Sequence, residues 1–366
     1  MRDHACGGPP ARTPPPFIDW ARLRNPIVAI EADPRTGTAA RALKDVAVVY
    51  EAGVFYLFSS TRVATATKPL QPARPFFRTR DFHTYEAFCI AGVNTAGTHH
   101  GSPNITRIAD HWYLVFQASP APPAPCGPAH RQLFFTTTPT LADPRSWAPV
   151  RPLAPTLAPA HSLIDGALAS TGAQVFLGFK WRQQQTFHVA HGALPAVAGE
   201  APLWVHAPLA TLRARAGSVL PYFGFAENYQ FLHIDGVWRL LATGRDPAFL
   251  HGGLANLRYY KYTCSHEPFL YTMQGDGTQP AHWRQWRGKT PLRIPEEAWN
   301  PVMHANAAFL TDWRTYDGFF YLFYAGAADG DQFDFRGHGK IGVARSRDLV
   351  QWRVPGDCRD APAGGG

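Results

Sequence analysis

The chain has 366 residues, of which 45% are hydrophobic and 17% are charged, so it has enough apolar material for a sizeable core. The formal net charge of +8 would suit a nucleic-acid partner, but the 35 Lys and Arg residues are mainly scattered arginines without a recognised binding motif. Since no apolar run reaches transmembrane length either, we expect neither nucleic-acid binding nor a membrane span.

The N-terminal segment 1–16 is rich in Pro and Gly and lacks the apolar core of a signal peptide. We therefore predict a cytoplasmic protein, or a secreted one whose signal peptide has been removed. Segments 1–16 and 359–366 are predicted to be disordered tails, and 17–358 a single domain. The widely spaced cysteines form no Cys-x-x-Cys pair, so we expect no zinc site, while one or two disulfides remain open. The cysteines are Cys6, Cys89, Cys126, Cys264 and Cys358.

The first predicted structure along the chain is a hairpin that follows a carboxylate. Asp45 precedes a strand-like run at 46–50, a glycine-containing turn at 51–53 and a second run at 54–60. β-Branched and aromatic residues fill both runs, as is typical of an antiparallel pair. We expect the preceding segment, 24–44, to cover a sheet edge or to close a ring.

The same unit recurs four times downstream, and such long-period similarity indicates a repeat architecture. Each copy opens at a polar residue, turns, and returns as a second strand, and further strand-like runs follow. Five such units predict an all-β, five-bladed β-propeller with an axial channel and long loops. The later copies open at Ser102, Asp165, Glu227 and His304, and their returning strands are predicted at 111–116, 174–179, 237–241 and 319–324.

Three segments within the repeats are predicted to be irregular. The Pro-rich piece at 120–128 is interpreted as a loop because the repeat continues through it. Glycines at 252–253 and 275–277 indicate turns inside an enlarged fourth blade.

The residues that open the innermost strands of a propeller converge on one end of its axial channel. Here they are predicted to be three carboxylates, a hydroxyl and an imidazole. Burying three acids together is unfavourable unless they share protons or meet a counter-ion. Neighbouring carboxylates acquire different pKa values, so that one acts as a base and another as an acid. A pair of this kind is what glycoside hydrolysis requires.

Three short motifs resemble, in order and spacing, the acidic motifs of the five-bladed glycoside hydrolases of families 43 and 62. They are Ala-Leu-Lys-Asp at 42–45, Leu-Ile-Asp at 163–165 and Ala-Glu-Asn at 226–228, and the resemblance spans about 26–357. It implies an inverting glycosidase that acts on an oligo- or polysaccharide such as xylan or arabinan. The activities implied are those of α-L-arabinofuranosidases, arabinanases and β-xylosidases.

Carried over by position, the resemblance implies a role for each acid. Asp45 would be the general base that activates water, and Glu227 the general acid that protonates the leaving oxygen. Asp165 would raise the pKa of Glu227 and orient it. His304 matches a residue that often lies near a channel calcium or sodium ion in these families, so it is a tentative metal ligand. No other cofactor is expected.

The chain departs from the family pattern in three places. It has His-His-Gly-Ser-Pro at 99–103, where an aromatic residue or Ala before Ala-Pro is usual. Val46 follows Asp45 where Pro is common, and Ala-Asn-Ala at 305–307 replaces a small polar cluster. These changes leave the reaction type as predicted but leave the substrate open.

Residues close to the acids in sequence are the substrate-binding candidates. Tyr222 and Phe223 are further aromatic candidates for stacking on a sugar ring, although such rings are more often part of a core. The predicted substrate-binding residues are Lys44, His100, Ser102, Trp181, Asn228 and Tyr229.

Each site residue also has an ordinary structural interpretation. Asp45 would suit the start of a strand, and Asp165 an ordinary turn. Glu227 would suit a surface position, and His304 a hydrogen-bonded place in the core. The Arg-Asp-Pro sequence at 245–247 resembles a motif of fructan-cleaving propellers, but it follows the Glu, so we expect a structural turn there.

Of the enzymatic functions, α-L-arabinofuranosidase is the one we predict. A β-xylosidase and an endo-arabinanase are alternatives with the same fold. Two alternatives from other classes are a non-catalytic carbohydrate-binding propeller and a protein-interaction scaffold. Neither of these needs an acid with a raised pKa. The oligomeric state, the linkage and exo or endo action are left open.

Overall fold

The structure is a computed structural model, and it describes most of the predicted domain. The predicted tails, the Pro-rich loop at 120–128 and the glycines at 252–253 lie outside the described residues. Of the cysteine side chains described, Cys89 is free and exposed. No helix in the described part of the chain is long and apolar enough to cross a membrane. The described residues are 17–29, 40–63, 76–93, 101–118, 131–155, 157, 162–182, 186–195, 200, 202, 204–205, 226–250, 264–278, 282–286, 292–301, 303–327 and 340–357.

The described strands form five antiparallel sheets in chain order, which confirms the five-bladed propeller. The first two blades are β2 (Ala40–Glu51), β3 (Val54–Val63), β4 (Phe76–Thr79) and β5 (Glu86–Phe88), then β6 (Gly101–Ile108), β7 (His111–Ala118), β8 (Gln132–Thr138) and β9 (Arg151–Pro152). The third and fourth are β10 (Leu163–Ser170), β11 (Gln174–Trp181) and β12 (Thr186–Ala193), then β13 (Ala226–Ile234), β14 (Val237–Leu250), β15 (Cys264–Met273) and β16 (Trp283–Gln285). The fifth contains β17 (Met303–Asp312), β18 (Phe320–Ala327), β19 (Lys340–Ser346), β20 (Trp352–Arg353) and also β1 (Val28–Ala29), with a one-turn helix α1 (Arg314–Asp317) between β17 and β18.

The hairpin turns follow from residues that tolerate positive φ. Ala52 and Gly53 join β2 to β3 with φ of 48° and 83°. Asp235 and Gly236 join β13 to β14 with φ of 51° and 76°. Two central residues with positive φ are the mark of the type I′ turn, whose twist matches that of the flanking strands. Both turns lie where the sequence predicts them.

The core lies between the blades rather than at one centre. Five clusters of buried side chains each join two neighbouring blades. On β2, Val46 and Val48 face the fifth blade, whereas Ala47 faces the second. Because alternate side chains point to opposite faces of a sheet and both faces are covered, the strand has a continuous apolar run instead of an alternating pattern.

The ring closes through both ends of the described chain. β1 pairs with one end of β19, with Val28 opposite Ile341. β20 pairs with the other end of β19, with Trp352 opposite Ser346. The fourth strand of the fifth blade is therefore made of two separate pieces, and the prediction that segment 24–44 closes a ring is confirmed for its described N-terminal part.

Asn25 secures this closure through its side-chain amide. Its Nδ2 donates to the carbonyl oxygen of Val343 at 3.0 Å, and its Oδ1 accepts from the Val343 N–H at 2.9 Å. Nδ2 also lies 2.7 Å from Glu297 Oε2. The amide thus bonds to the edge of β19 as a strand residue would.

We expect Asn25→Ala to lower the free energy of unfolding by about 2 kcal/mol, because partly buried polar groups of β19 lose their partners. Urea unfolding measures this difference. Arg22→Ala is the matched control in the same segment, because the Arg22 side chain is 78% exposed and its loss should change stability by less than about 0.5 kcal/mol. Equal effects of the two substitutions would contradict the role of Asn25.

Candidate active site

The five innermost strands share one backbone irregularity. In each strand a non-glycine residue has positive φ, and the pairing with the next strand shifts register at that residue. Such bulges re-aim side chains, and strained residues of this kind concentrate at functional sites. The five residues and their φ values are Asp45 (53°), Ser102 (48°), Asp165 (55°), Asn228 (55°) and Ala307 (49°).

This backbone register corrects the predicted equivalence of the blades. The sequence pattern predicts that the ionisable residues Glu227 and His304 begin the inner strands of the fourth and fifth blades. In the structure the equivalent residues are Asn228 and Ala307. A one-residue or three-residue offset of this kind depends on the bulge, which sequence patterns do not reveal.

The bulges surround a small cavity on the axis. Its volume is about 20 Å³, which is room for one water molecule or one monatomic ion. Asp45 and Asp165 line it, and Glu227 immediately precedes a lining residue. The other residues that line it are Val46, Ser102, Pro103, Asn104, Gly166, Asn228, Tyr229, Ala307, Ala308 and Phe309.

Asp45 is buried and is oriented by three neighbouring side chains. Asn228 Nδ2 donates to Asp45 Oδ1 at 3.0 Å. Lys44 Nζ lies 3.6 Å from the same oxygen, and Ser102 Oγ lies 3.5 Å from Oδ2. Two of these groups, an amide N–H and an ammonium, only donate, so they hold the Asp45 carboxyl group in one orientation.

Asp165 is buried beside the other two acids. Burial raises its pKa to about 6, and the negative charges of Glu227 and Asp45 act in the same direction against the positive charge of Lys180. Its backbone N–H donates to Gln117 Oε1 at 3.1 Å. Asp165 therefore holds a proton in mildly acidic solution, where an exposed Asp would be ionised.

Glu227 is the acid of the three that reaches solvent, with 20% of its side chain exposed. Its Oε2 accepts a hydrogen bond from Lys180 Nζ at 3.1 Å. Lys180 lies on β11 of the third blade and is 1% exposed. Sequence reasoning missed this lysine. The signal available was one charged residue at the end of the apolar run 175–179.

His304 lies in a buried contact between the fourth and fifth blades. Its Nδ1 is 2.9 Å from Glu267 Oε1. Burial lowers the pKa of His304, but the hydrogen bond and charge of Glu267 outweigh it, and the pKa is raised. His304 is not among the residues that line the axial cavity. Within the described ranges no group of three His, Cys, Asp or Glu side chains is arranged to hold a metal, and a channel ion near His304 stays a prediction.

The structure also locates the other candidates. Trp181 is 2% exposed in the core between the second and third blades, so it does not offer a ring face for stacking. Tyr229 packs against Phe187 between the third and fourth blades, with ring centroids 4.5 Å apart. His100, Tyr222 and Phe223 lie outside the described residues.

The Arg-Asp-Pro segment at 245–247 is a strand rather than the expected turn. It belongs to β14, at a point where the pairing with β15 is irregular between Arg245 and Leu250. A proline has no N–H for a ladder hydrogen bond and is tolerated in a strand at such an irregularity.

We expect Asp165→Asn to stabilise the fold more at pH 8 than at pH 4. The folded-state pKa of about 6 lies above the usual value for Asp. The group's contribution to stability is therefore fully present below about pH 4 and is lost as the pH rises through 6, which amounts to on the order of 3 kcal/mol. A neutral amide avoids this loss. Urea unfolding at both pH values measures it, and an equal change at the two would contradict the expectation.

Comparison with solved structures identifies proteins that share this fold. The α-L-arabinofuranosidase PaAbf62A from Podospora anserina, solved in complex with cellotriose, matches with a TM-score of 0.60 and 13% identity over 90% of this chain and 96% of its own. The catalytic domain of a GH62 α-L-arabinofuranosidase from Coprinopsis cinerea matches with 0.58 and 15% over 87% and 94%. A thermostable family-43 glycoside hydrolase matches with 0.53 and 11% over 88% and 96%.

Sequence comparisons add nothing to this. No protein-family profile matches the chain, and a search among curated proteins also finds no match. At identities of 11–15% the likeness to solved structures concerns the fold alone. The resemblance to the five-bladed propellers of families 43 and 62 is confirmed at that level.

Proposed function

We propose that the protein is an inverting glycoside hydrolase that releases terminal α-L-arabinofuranosyl groups from an oligo- or polysaccharide. One observation carries this proposal. Asp45, Asp165 and Glu227 come from three blades far apart in sequence, and the charges of Asp45 and Glu227 both act on the buried carboxyl of Asp165, which lines the axial cavity. Gathering three acids in this way is unfavourable for the fold, and such clusters are found at sites where the acids transfer protons.

The proposed reaction divides the work between two of the acids. Asp45 accepts a proton from a water molecule, and the water oxygen forms a bond to the anomeric carbon. Glu227 donates a proton to the glycosidic oxygen as the bond from that oxygen to the anomeric carbon breaks. Because water attacks opposite the leaving group in one step, the configuration inverts.

The environments of the two acids support this division. The carboxyl group of Asp45 is held in place by Asn228 Nδ2 and lies close to the ammonium group of Lys44. Glu227 is the more exposed of the two and can meet the leaving oxygen of a substrate that enters from solvent. Asp165 is buried next to Glu227, and when it is ionised its negative charge favours the protonated form of Glu227 that a general acid requires.

The choice of sugar comes from the neighbours in fold. Two of the three structures reported above are named as α-L-arabinofuranosidases. An exo-1,5-α-L-arabinanase from a bovine ruminal metagenomic library also shares the fold, with a TM-score of 0.50. The β-xylosidase and endo-arabinanase activities, which the sequence resemblance also implies, are the alternatives to be tested beside the proposal.

The experiment is a substrate screen with product stereochemistry. Release of 4-nitrophenol is measured from the α-L-arabinofuranoside and the β-D-xyloside, and sugar release from arabinoxylan and linear arabinan. The anomer first formed is followed by NMR, and inversion is expected. The double variant Asp45→Asn/Glu227→Gln is the inactive control. Sugar binding by calorimetry without turnover of any substrate would overturn the proposal in favour of a carbohydrate-binding propeller.

A further inference from the structure

Lys180 is a buried cation next to two of the three acids. It lies on β11 directly opposite Ile164, the residue before Asp165 on β10. Its Nζ lies 3.1 Å from Glu227 Oε2, and its charge lowers the pKa of Asp165. Lysine is almost never fully buried without a partner, so this position indicates a specific role.

The chemistry of the ammonium group defines that role. A lysine ammonium donates hydrogen bonds and accepts none. In a protonated carboxyl group the carbonyl oxygen is the better acceptor, and the hydroxyl oxygen carries the proton. When Glu227 is protonated, the hydrogen bond from Lys180 therefore fixes Oε2 as the carbonyl oxygen and leaves the proton on Oε1.

We propose that Lys180 is a positioning residue that keeps the transferable proton of Glu227 on Oε1, the oxygen not bonded to the lysine. The inference rests on the proposed function, in which Glu227 is the general acid. In this proposal Glu227 is oriented by Lys180, a side chain of the neighbouring blade. Lys180 is buried, so solvent does not reach it.

The contact between Lys180 and Glu227 also affects the pH at which Glu227 loses its proton. Lys180 and the carboxyl of Asp165 act on Glu227 through their charges, and burial together with the nearby acids keeps the phenol of Tyr229 neutral. The charge of Asp45 acts in turn on Asp165. Lys180 is the positive member of this set, so its removal leaves Glu227 beside negative charge and makes the ionised form less favourable.

The kinetic test replaces Lys180 by Met, which has a similar length and no charge. At the pH optimum we expect kcat to fall about 10-fold, because the proton is no longer confined to Oε1, with KM changed less than about 3-fold. The basic limb of the kcat/KM profile should move up by about 1 pH unit. A loss of kcat with an unmoved basic limb, or a change in KM alone, would overturn the proposal.

Two further variants separate charge from packing. Phe179→Leu alters the adjacent buried side chain on the same strand and should leave the basic limb in place, even if it lowers thermal stability. Lys180→Arg keeps the charge and should hold the limb near its wild-type position. If Lys180→Met does not fold, Lys180→Gln takes its place, with thermal unfolding as the check on folding.

A second readout does not depend on turnover. In protein labelled with ¹³C at glutamate carboxyls, the Glu227 signal is identified by its absence in Glu227→Gln. Its titration midpoint should rise by about 1 pH unit in Lys180→Met. A wild type that hydrolyses no glycoside but shows this rise would overturn the proposed function and leave the Lys180–Glu227 coupling standing. An unchanged midpoint would overturn the coupling itself.

Discussion

The Glu227→Gln variant is expected to lose about 10²–10⁴-fold in kcat on arabinoxylan, because Gln keeps the shape of the side chain but has no proton to give to the leaving oxygen. The deficit should depend on the leaving group. Sugar alcohols are poor leaving groups and need protonation, whereas 4-nitrophenolate leaves with little help. Initial rates on the polysaccharide and on aryl glycosides of graded leaving-group pKa measure this difference.

The matched control is Glu297→Gln, which changes a carboxylate near the ring closure, bonded to Asn25 rather than to the site. It should leave kcat within about 2-fold and change stability instead. A Glu227→Gln deficit of the same size for all leaving groups would contradict the assignment of Glu227 as general acid. Loss of the basic limb of the pH profile would support it.

Asp45→Asn should lower kcat by about 10³-fold or more on every substrate, because activation of water is needed whatever the leaving group is. The amide can still contact Ser102 and Lys44, so substrate binding should change little. The expected result for Asp45→Asn is therefore a loss in kcat with a nearly constant KM, and the size of this loss should not depend on the leaving group.

The Asn228→Ala variant tests the orientation of Asp45 separately from the ability of Asp45 to accept a proton. It removes the 3.0 Å hydrogen bond to Asp45 Oδ1 but leaves the carboxylate in place. A loss of about 10-fold, well short of that for Asp45→Asn, is expected. An Asn228→Ala variant as inactive as Asp45→Asn would show that the base assignment is wrong.

The fold follows from sequence because its signals are local. Val46 to Tyr50 and Val54 to Ser60 carry the composition of strands, and the turn between them needs residues that accept positive φ, as Gly53 does. The predicted hairpin was found in all five blades for this reason. Asp45 and Asp165 were also placed correctly beside the axis, because each opens an inner strand of the repeat.

The site was less accessible to sequence reasoning because it depends on contacts between blades. The bulge at Asn228 decides which of two adjacent residues holds Asp45, and no pattern in the strand shows it. Lys180 acts on Glu227 from another blade, so proximity in the chain gave no hint. The contact of His304 Nδ1 with Glu267 joins the fourth and fifth blades, and no spacing in the sequence connects these two positions.

The two-piece outer strand of the fifth blade links closure of the ring to synthesis of the last blade. Val28 is made early, but its partner Ile341 leaves the ribosome on the order of tens of seconds later at ordinary elongation rates. Until then the side chains of Leu43 and Val48 lack the apolar cover that β18 and β19 supply. A nascent chain therefore exposes a hydrophobic face of its first blade until the last blade has been made.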